Sequence, residues 1–247
     1  MNTLHDDNLN VIVPMAGAGS RFQTAGYDLP KPLIEVLKRP MVQTVVDYLN
    51  VQANFIYIVQ KEHNEEYALS SLLNSISPNC KVVEVDGLTE GAACSILAAK
   101  EHINNENPIL IVNSDNLIVW EPVEFMFEMD DEADGGIVVF EVYDSEPKWS
   151  YVGLDEFSYI TIVAEKDPIS NLATAGIYYW KHGRDFVSCA EQMIEKDIRV
   201  NNEFYVAPVY NEFIAKGNRI VPFRINQQDM WGLGTPEDLA YFNANFK

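Results

Sequence analysis

The chain is predicted to be an α/β domain built on a mainly parallel sheet, and three observations predict it. Short apolar, β-branched runs without polar alternation recur at residues 11–13, 55–59, 82–85, 109–112 and 137–142. Such runs are the pattern of strands buried on both faces, as parallel strands are. Between the early runs the apolar residues repeat at helical spacing: Val42, Val45, Val46 and Leu49, then Leu69, Leu72, Leu73 and Ile76, then Ile96, Leu97 and Ile103. Strands alternating with such segments are βαβ units whose crossover helices cover the sheet. Finally, 247 residues with 47% apolar content suffice for one large core, so residues 1–247 are read as a single domain.

After residue 140 the pattern changes. Segments 148–165 and 173–180 are rich in Tyr, Ile, Val and Thr with turn residues between them, which predicts an antiparallel part that completes the sheet or lies over a site. Helical spacing returns at 185–196 and 203–215. A last helix is expected after Thr235, because Thr235-Pro236-Glu237-Asp238 supplies an N-cap, a proline at the first helical position and acids in the first turn. No internal repeat is visible.

Composition excludes several classes. With 37 acidic and 17 basic residues the formal charge is -20, and nucleic acid would be repelled by such a surface. No apolar run reaches the roughly 18 residues that would predict a membrane span. Residues 1–10 are polar and lack the basic start of a secretory signal, so a cytoplasmic protein with no membrane span is expected. Cys80, Cys94 and Cys189 are odd in number and widely spaced, which supports neither a disulfide framework nor a zinc knuckle. The histidines at 5, 63, 102 and 182 are isolated, and no serine sits in a Gly-x-Ser-x-Gly elbow. The acidic stretch 128–134 reads as a solvated loop.

The most informative segment is residues 11–32. A buried-strand run leads into Met15-Ala16-Gly17-Ala18-Gly19-Ser20-Arg21, and a Pro30-Lys31-Pro32 follows ten residues after the arginine. Gly17 and Gly19 let the backbone turn tightly and present bare N–H groups to phosphate oxygens, while Arg21 and Lys31 supply cations from two directions. A dinucleotide fingerprint would need a third glycine where Phe22 stands, and no Gly-Lys-Ser/Thr of a Walker loop occurs. In a doubly wound sheet the ligand lies at the carboxyl ends of the strands. Asn113-Ser114-Asp115-Asn116 follows the apolar run 109–112 and occupies a second such end. A carboxylate held there suits magnesium, although an Asp can equally cap a turn.

Gly17-x-Gly19-x-Arg21 followed by Pro30-Lys31 resembles the signature of the nucleotidylyltransferase superfamily, which joins a nucleoside triphosphate to a sugar 1-phosphate. The resemblance implies a Rossmann-like three-layer α/β/α sandwich with a mainly parallel mixed sheet and a small antiparallel sugar-binding part. Residues from about 10 to 140 would bind the nucleotide and those from about 141 to 247 the acceptor. It further implies that Met15, Ala16, Gly17, Ala18, Gly19, Ser20 and Arg21 wrap the triphosphate, that Lys31 neutralises the attacked phosphate, and that Asp115 holds Mg2+, with Mn2+ as the alternative. Thr89-Glu90-Gly91-Ala92-Ala93 looks like the small-residue segment beside the base, so Glu90, Gly91, Ala92 and Ser114 join the nucleotide site; a plain helix start at Thr89 is compatible with this.

On the acceptor side, Glu165-Lys166-Asp167-Pro168 looks like the family's Glu-Lys-Pro element with one inserted residue. Glu165 would hold sugar hydroxyls and Lys166 the acceptor phosphate, making Arg21, Lys31 and Lys166 the catalytic cations. Gly176 would allow close backbone approach, and Glu203 matches a sugar-binding glutamate. One position departs: Met230-Trp231-Gly232-Leu233-Gly234-Thr235-Pro236 has Gly232 where many relatives carry a second metal-binding aspartate, with Asp229 as a candidate substitute. A pyrimidine triphosphate (UTP, CTP or dTTP) and a surface-polysaccharide precursor are what the resemblance favours, with a homo-oligomer also open and no fused repeat domain expected. Two other classes stay open: a silent nucleotide or nucleotide-sugar binding protein, because of Gly232, and a metal-dependent glycosyltransferase of related fold, which Asn113-Ser114-Asp115 fits poorly for want of the first carboxylate.

Overall fold

The computed structural model describes residues 2–129, 133–144 and 146–246, so residues 130–132 of the acidic stretch lie outside the described residues. Its strands are β1 (Leu4–Pro14), β2 (Glu35–Val36), β3 (Arg39–Pro40), β4 (Val51–Gln60), β5 (Lys81–Val85), β6 (Ile109–Val112), β7 (Asn116–Ile118), β8 (Gly135–Glu141), β9 (Ser150–Leu154), β10 (Ile160–Glu165), β11 (Leu172–Trp180), β12 (Ile220–Ile225) and β13 (Met230–Gly232). The helices are α1 (Ser20–Thr24), α2 (Met41–Leu49), α3 (Lys61–Tyr67), α4 (Leu69–Ile76), α5 (Ala92–Leu97), α6 (Lys100–Ile103), α7 (Pro122–Glu128), α8 (Gly183–Glu195), α9 (Val209–Ile214) and α10 (Pro236–Asn245).

Strands β5, β4, β1 and β6 are parallel neighbours, as the buried apolar runs predict. Successive residues enter opposite cores: Val11 and Val13 point to one face and Ile12 to the other, as do Leu110 and Val112 against Ile109 and Ile111. Helices α2, α4, α7 and α10 bury Met41, Leu73, Phe125 and Phe242 on the first face; α5, α8 and α9 bury Ile96, Phe186 and Phe213 on the second. The result is a three-layer α/β/α sandwich.

The antiparallel half completes the same sheet. β11 runs antiparallel to β6 on one side and to β8 on the other, while β12 adds parallel to β8. Beyond the end of β6 the neighbour of β11 becomes β9, through the pair Ala173 and Tyr151, and β10 pairs β9. The sheet therefore forks beside β11, and Gly176 stands at the fork. Its φ is 84°, the β11–β8 register shifts between Thr174 and Tyr178, and a Cβ at Gly176 would lie 2.5 Å from Asn116 Nδ2. Only glycine accommodates both the conformation and the contact.

Several elements differ from the sequence expectations. β1 extends back to Leu4 through a bulge, because Asp6 Oδ1 accepts from the Asn8 and Leu9 amides and interrupts the ladder locally. The helix expected around 96–103 is two short helices. Within 203–215 only α9 is α-helical, since the Phe204 backbone is bonded elsewhere and Pro208 stands at the helix N-cap. β12 carries Pro222, which hides a strand from pattern reading and is tolerated because β12 pairs β8 alone in the sheet. Cys80, Cys94 and Cys189 are free thiols, and among the described residues no helix is long and apolar enough to cross a membrane.

The α10 start forms as expected, with Thr235 Oγ1 accepting from the Asp238 amide at 3.0 Å. Thr235→Ala is expected to cost about 1 kcal/mol of stability. The shift of the urea midpoint, read at unchanged m-value, measures it.

Candidate active site

The glycine loop is held from below. As β1 ends, the Met15 amide donates to the Ile58 carbonyl at 2.9 Å, and buried Gln60 donates from Nε2 to the Ala16 carbonyl at 2.9 Å. Gly19 caps α1 with a φ of 61°, and its Cβ would stand 3.3 Å from Lys31 Cβ, so the fold itself requires glycine there. Gly17 is different. Its φ is outside the left-handed region and a Cβ would meet nothing within 4 Å. The fold makes no demand for glycine at 17, and its open side leaves the backbone accessible to a bound group.

Lys31 lies in a 3-10 turn, Lys31–Leu33, anchored by buried Pro32. Its Nζ donates to Asp115 Oδ2 at 2.8 Å, with both side chains 20% exposed, although the residues are 84 positions apart. Asp115 follows β6 and is tightly placed: the Leu233 amide donates to its carbonyl at 2.7 Å, the Asn113 amide donates to the Gly176 carbonyl at 2.9 Å, and Asn116 Nδ2 donates to the Ala175 carbonyl at 3.0 Å. Burial pushes the Asp115 carboxyl up, but the Lys31 charge and hydrogen bond, with the Arg21 charge behind them, outweigh it and hold the group below its ordinary range. Ser114 is buried beside it.

Asp115 fits a hard cation. An ammonium already lies against Oδ2, and a Cβ on Gly234 would come within 3.0 Å of that oxygen, so the glycine keeps the carboxylate approachable. Among the described residues no three Asp, Glu, His or Cys side chains group around one point, so the further ligands of magnesium at Asp115 would be phosphate oxygens and water. Gly232 pairs with Asn116 across β13 and β7; its Cβ direction faces Trp149 at 3.6 Å and the Asp238 carboxylate at 3.9 Å. Asp229 accepts from Asn226 Nδ2 at 2.7 Å, within its own turn.

The second group of expected residues gathers at the far side of the fork. Ser150 donates to Glu165, which ends β10, and Lys166 Nζ donates to the Tyr205 hydroxyl while lying 4.4 Å over that ring. Lys166 has a φ of 57° and its amide donates to the Trp149 carbonyl at 2.9 Å. Burial pushes the Glu165 carboxyl up and Glu203 adds to it, against the Ser150 bond and the Lys166 charge. Glu165, Lys166 and Glu203 are thus electrostatic neighbours. Tyr205 and Ser150 belong with them and were missed, because neither carries a sequence signal.

The segment 89–93 is tied to this wall. Phe204, between Glu203 and Tyr205, donates its amide to the Glu90 carbonyl at 2.8 Å and accepts from the Ala93 amide at 3.0 Å. A Cβ on Gly91, whose φ is 132°, would lie 2.5 Å from the Phe204 backbone. Gly91 is therefore needed for packing as well as serving as the cap of α5, a place sequence reasoning assigned to Thr89. The Glu90 carboxylate pairs with Arg199 at 2.6 Å, and Ala92 follows the cap at the start of the helix. A cavity of about 480 Å3 at the β8–β12 edge, lined in part by Tyr143, Arg224 and Gln228, includes none of these residues.

A family model described as "Nucleotidyl transferase" matches residues 10–244. The chain belongs to the nucleotidyl transferase family. Among curated proteins it is 28% identical over 172 residues to the bifunctional protein GlmU of Methanocaldococcus jannaschii, covering 69% of this chain and 39% of that protein. It thus spans about two fifths of the length of the GlmU relatives it matches. It is 25% identical to the UTP–glucose-1-phosphate uridylyltransferase AglF of Haloferax volcanii, with 93% of each chain covered. Among solved structures, a nucleoside-diphosphate-sugar pyrophosphorylase from Vibrio cholerae superposes with a TM-score of 0.81 at 23% identity, over 95% of this chain and 100% of that one.

Membership makes transferase the class of this nucleotidyl transferase chain, and the superpositions agree with its Rossmann-like fold. Two outcomes follow from the geometry. Gly17→Ala should change stability by no more than about 0.5 kcal/mol, since nothing in the fold opposes the methyl group. Glu165, with its carboxyl raised in the folded state, favours folding fully below the ordinary glutamate pKa and loses that contribution as pH rises through the raised value. Glu165→Gln should therefore raise the melting temperature at pH 7, with the gain disappearing at acid pH.

Proposed function

We propose that this nucleotidyl transferase joins a pyrimidine nucleoside triphosphate (UTP, CTP or dTTP) to a sugar 1-phosphate or related phosphorylated small molecule, releasing pyrophosphate, in making precursors of surface polysaccharide. The observation that carries this reading is the Lys31–Asp115 pair at 2.8 Å, beside the glycine loop whose Gly17 side is open. The pyrimidine choice draws on the AglF relative, named for UTP, and on fold neighbours described as a UDP-glucose pyrophosphorylase, an inositol-1-phosphate CTP transferase and a glucose-1-phosphate thymidylyltransferase.

In the proposed reaction an acceptor phosphate oxygen attacks the α-phosphorus in line. The new P–O bond forms as the bond to the β-bridging oxygen breaks, and pyrophosphate leaves with the electron pair. The acceptor is already an anion at neutral pH, so positioning and charge neutralisation are what the protein must provide. Backbone amides of the Met15–Ser20 stretch and Arg21 would hold the triphosphate. Lys31, drawn from Asp115 by the incoming phosphates, would neutralise the attacked group. A magnesium ion on Asp115 would supply further charge neutralisation when bound. Lys166 would hold the acceptor phosphate, and Glu165 and Glu203 the acceptor hydroxyls. With this goes a cytoplasmic setting, where nucleoside triphosphates are plentiful.

Gly232 favours a second reading, a protein that binds nucleotide without transfer, because that strand offers no carboxylate beside Asp115. A pyrophosphate-release assay across triphosphates and sugar 1-phosphates with magnesium separates the two. Release with a pyrimidine triphosphate is expected. Thermal stabilisation by triphosphates with no release across the panel would instead establish the silent binder. In the active protein Lys31→Ala should lower turnover at least about a hundredfold while the melting transition stays cooperative.

A further inference from the structure

Beneath the acceptor wall lies a buried hydroxyl with no part in the reaction as proposed so far. Ser150 opens β9 directly opposite Glu165 in the β9–β10 ladder, and its hydroxyl donates to Glu165 Oε2. The Tyr178 phenol oxygen lies 2.9 Å from Thr174 Oγ1 in a separate buried pair. Ser150, Thr174 and Tyr178 are all buried. Each hydroxyl has one proton to give, and an ionised carboxylate can only accept. Ser150 gives its one proton to Glu165, which fixes the direction of that bond.

The flanking charges do not hold Glu165 in this way. Lys166 turns its ammonium to the Tyr205 hydroxyl, and Glu203 is a repelling neighbour. The carboxylate is half-buried, so its orientation depends on the Ser150 hydroxyl.

We propose that Ser150 is a positioning residue that fixes the Glu165 carboxylate for the hydroxyls of the acceptor. The role rests on the function proposed above. One bond to a carboxylate is worth at least about tenfold in an equilibrium. The test uses Ser150→Ala and the conservative Ser150→Thr in the full chain.

Ser150→Ala should raise the acceptor KM about tenfold, with kcat at saturation and triphosphate affinity held near the parent values, and Ser150→Thr should restore the KM. In a Glu165→Ala background, where no acceptor atom faces Ser150, the Ser150→Ala effect on KM should vanish. An unchanged acceptor KM, an equal loss of triphosphate affinity, or an undiminished Ser150→Ala effect in the Glu165→Ala background would each overturn the proposal.

A second readout needs no turnover. In 13C-glutamate-labelled protein, with the Glu165 signal assigned by its loss in Glu165→Gln, Ser150→Ala should move the Glu165 carboxyl titration to higher pH while Ser150→Thr leaves it in place. The groups facing this carboxyl are Ser150, Lys166, Glu203, Tyr178 and Tyr205, and only Ser150 changes in the comparison. A titration unmoved by Ser150→Ala would overturn the proposal even in a protein that transfers nothing, whereas a shift without any pyrophosphate release would count against the assigned reaction alone.

Discussion

The Lys31–Asp115 ion pair is the contact on which the site depends. It joins a turn from the first fifth of the chain to the strand end at the centre of the sheet, and it survives burial because each charge removes the other's desolvation penalty. Asp115 can serve as this anchor only because its backbone is fixed on three sides. The end of β6, the bulge in β11 and the segment after β13 meet there, and each uses a backbone group or an asparagine amide. Without the fork beside β11 there would be no space between β6 and β9 for these side chains to converge.

The segments 89–93 and 203–205 are mechanically joined. Phe204 carries Glu203 and Tyr205 on either side and is bonded through its backbone to Glu90 and Ala93. Gly91 makes that approach possible by having no Cβ.

Gly232 gives this member of the nucleotidyl transferase family its own character. The space its missing side chain leaves is bordered by Trp149 and by Asp238, whose carboxylate is also 3.5 Å from Lys148 Nζ. Where the resemblance anticipates a second carboxylate beside Asp115, the chain places an aromatic ring and a lysine–aspartate pair.

The local features were legible in the sequence because they are set by nearest neighbours. The apolar runs of β1, β4, β5 and β6, the cap at Thr235 and the glycine turn before Arg21 follow from side-chain periodicity, hydrogen-bonding groups and allowed backbone angles. What escaped was whatever depends on distant partners: β12 concealed by Pro222, Phe204 held out of a helix by Glu90, and Ser150 and Tyr205 aligned with Glu165 and Lys166. By itself the sequence determined the class of fold and the kinds of charge available to the site. Only the tertiary structure decided that Lys31 meets Asp115, that Gly17 is open while Gly19 is constrained, and that Ser150 holds Glu165. Those outcomes depend on strand order and on the bulge at Gly176, which bring together atoms that the chain itself keeps far apart.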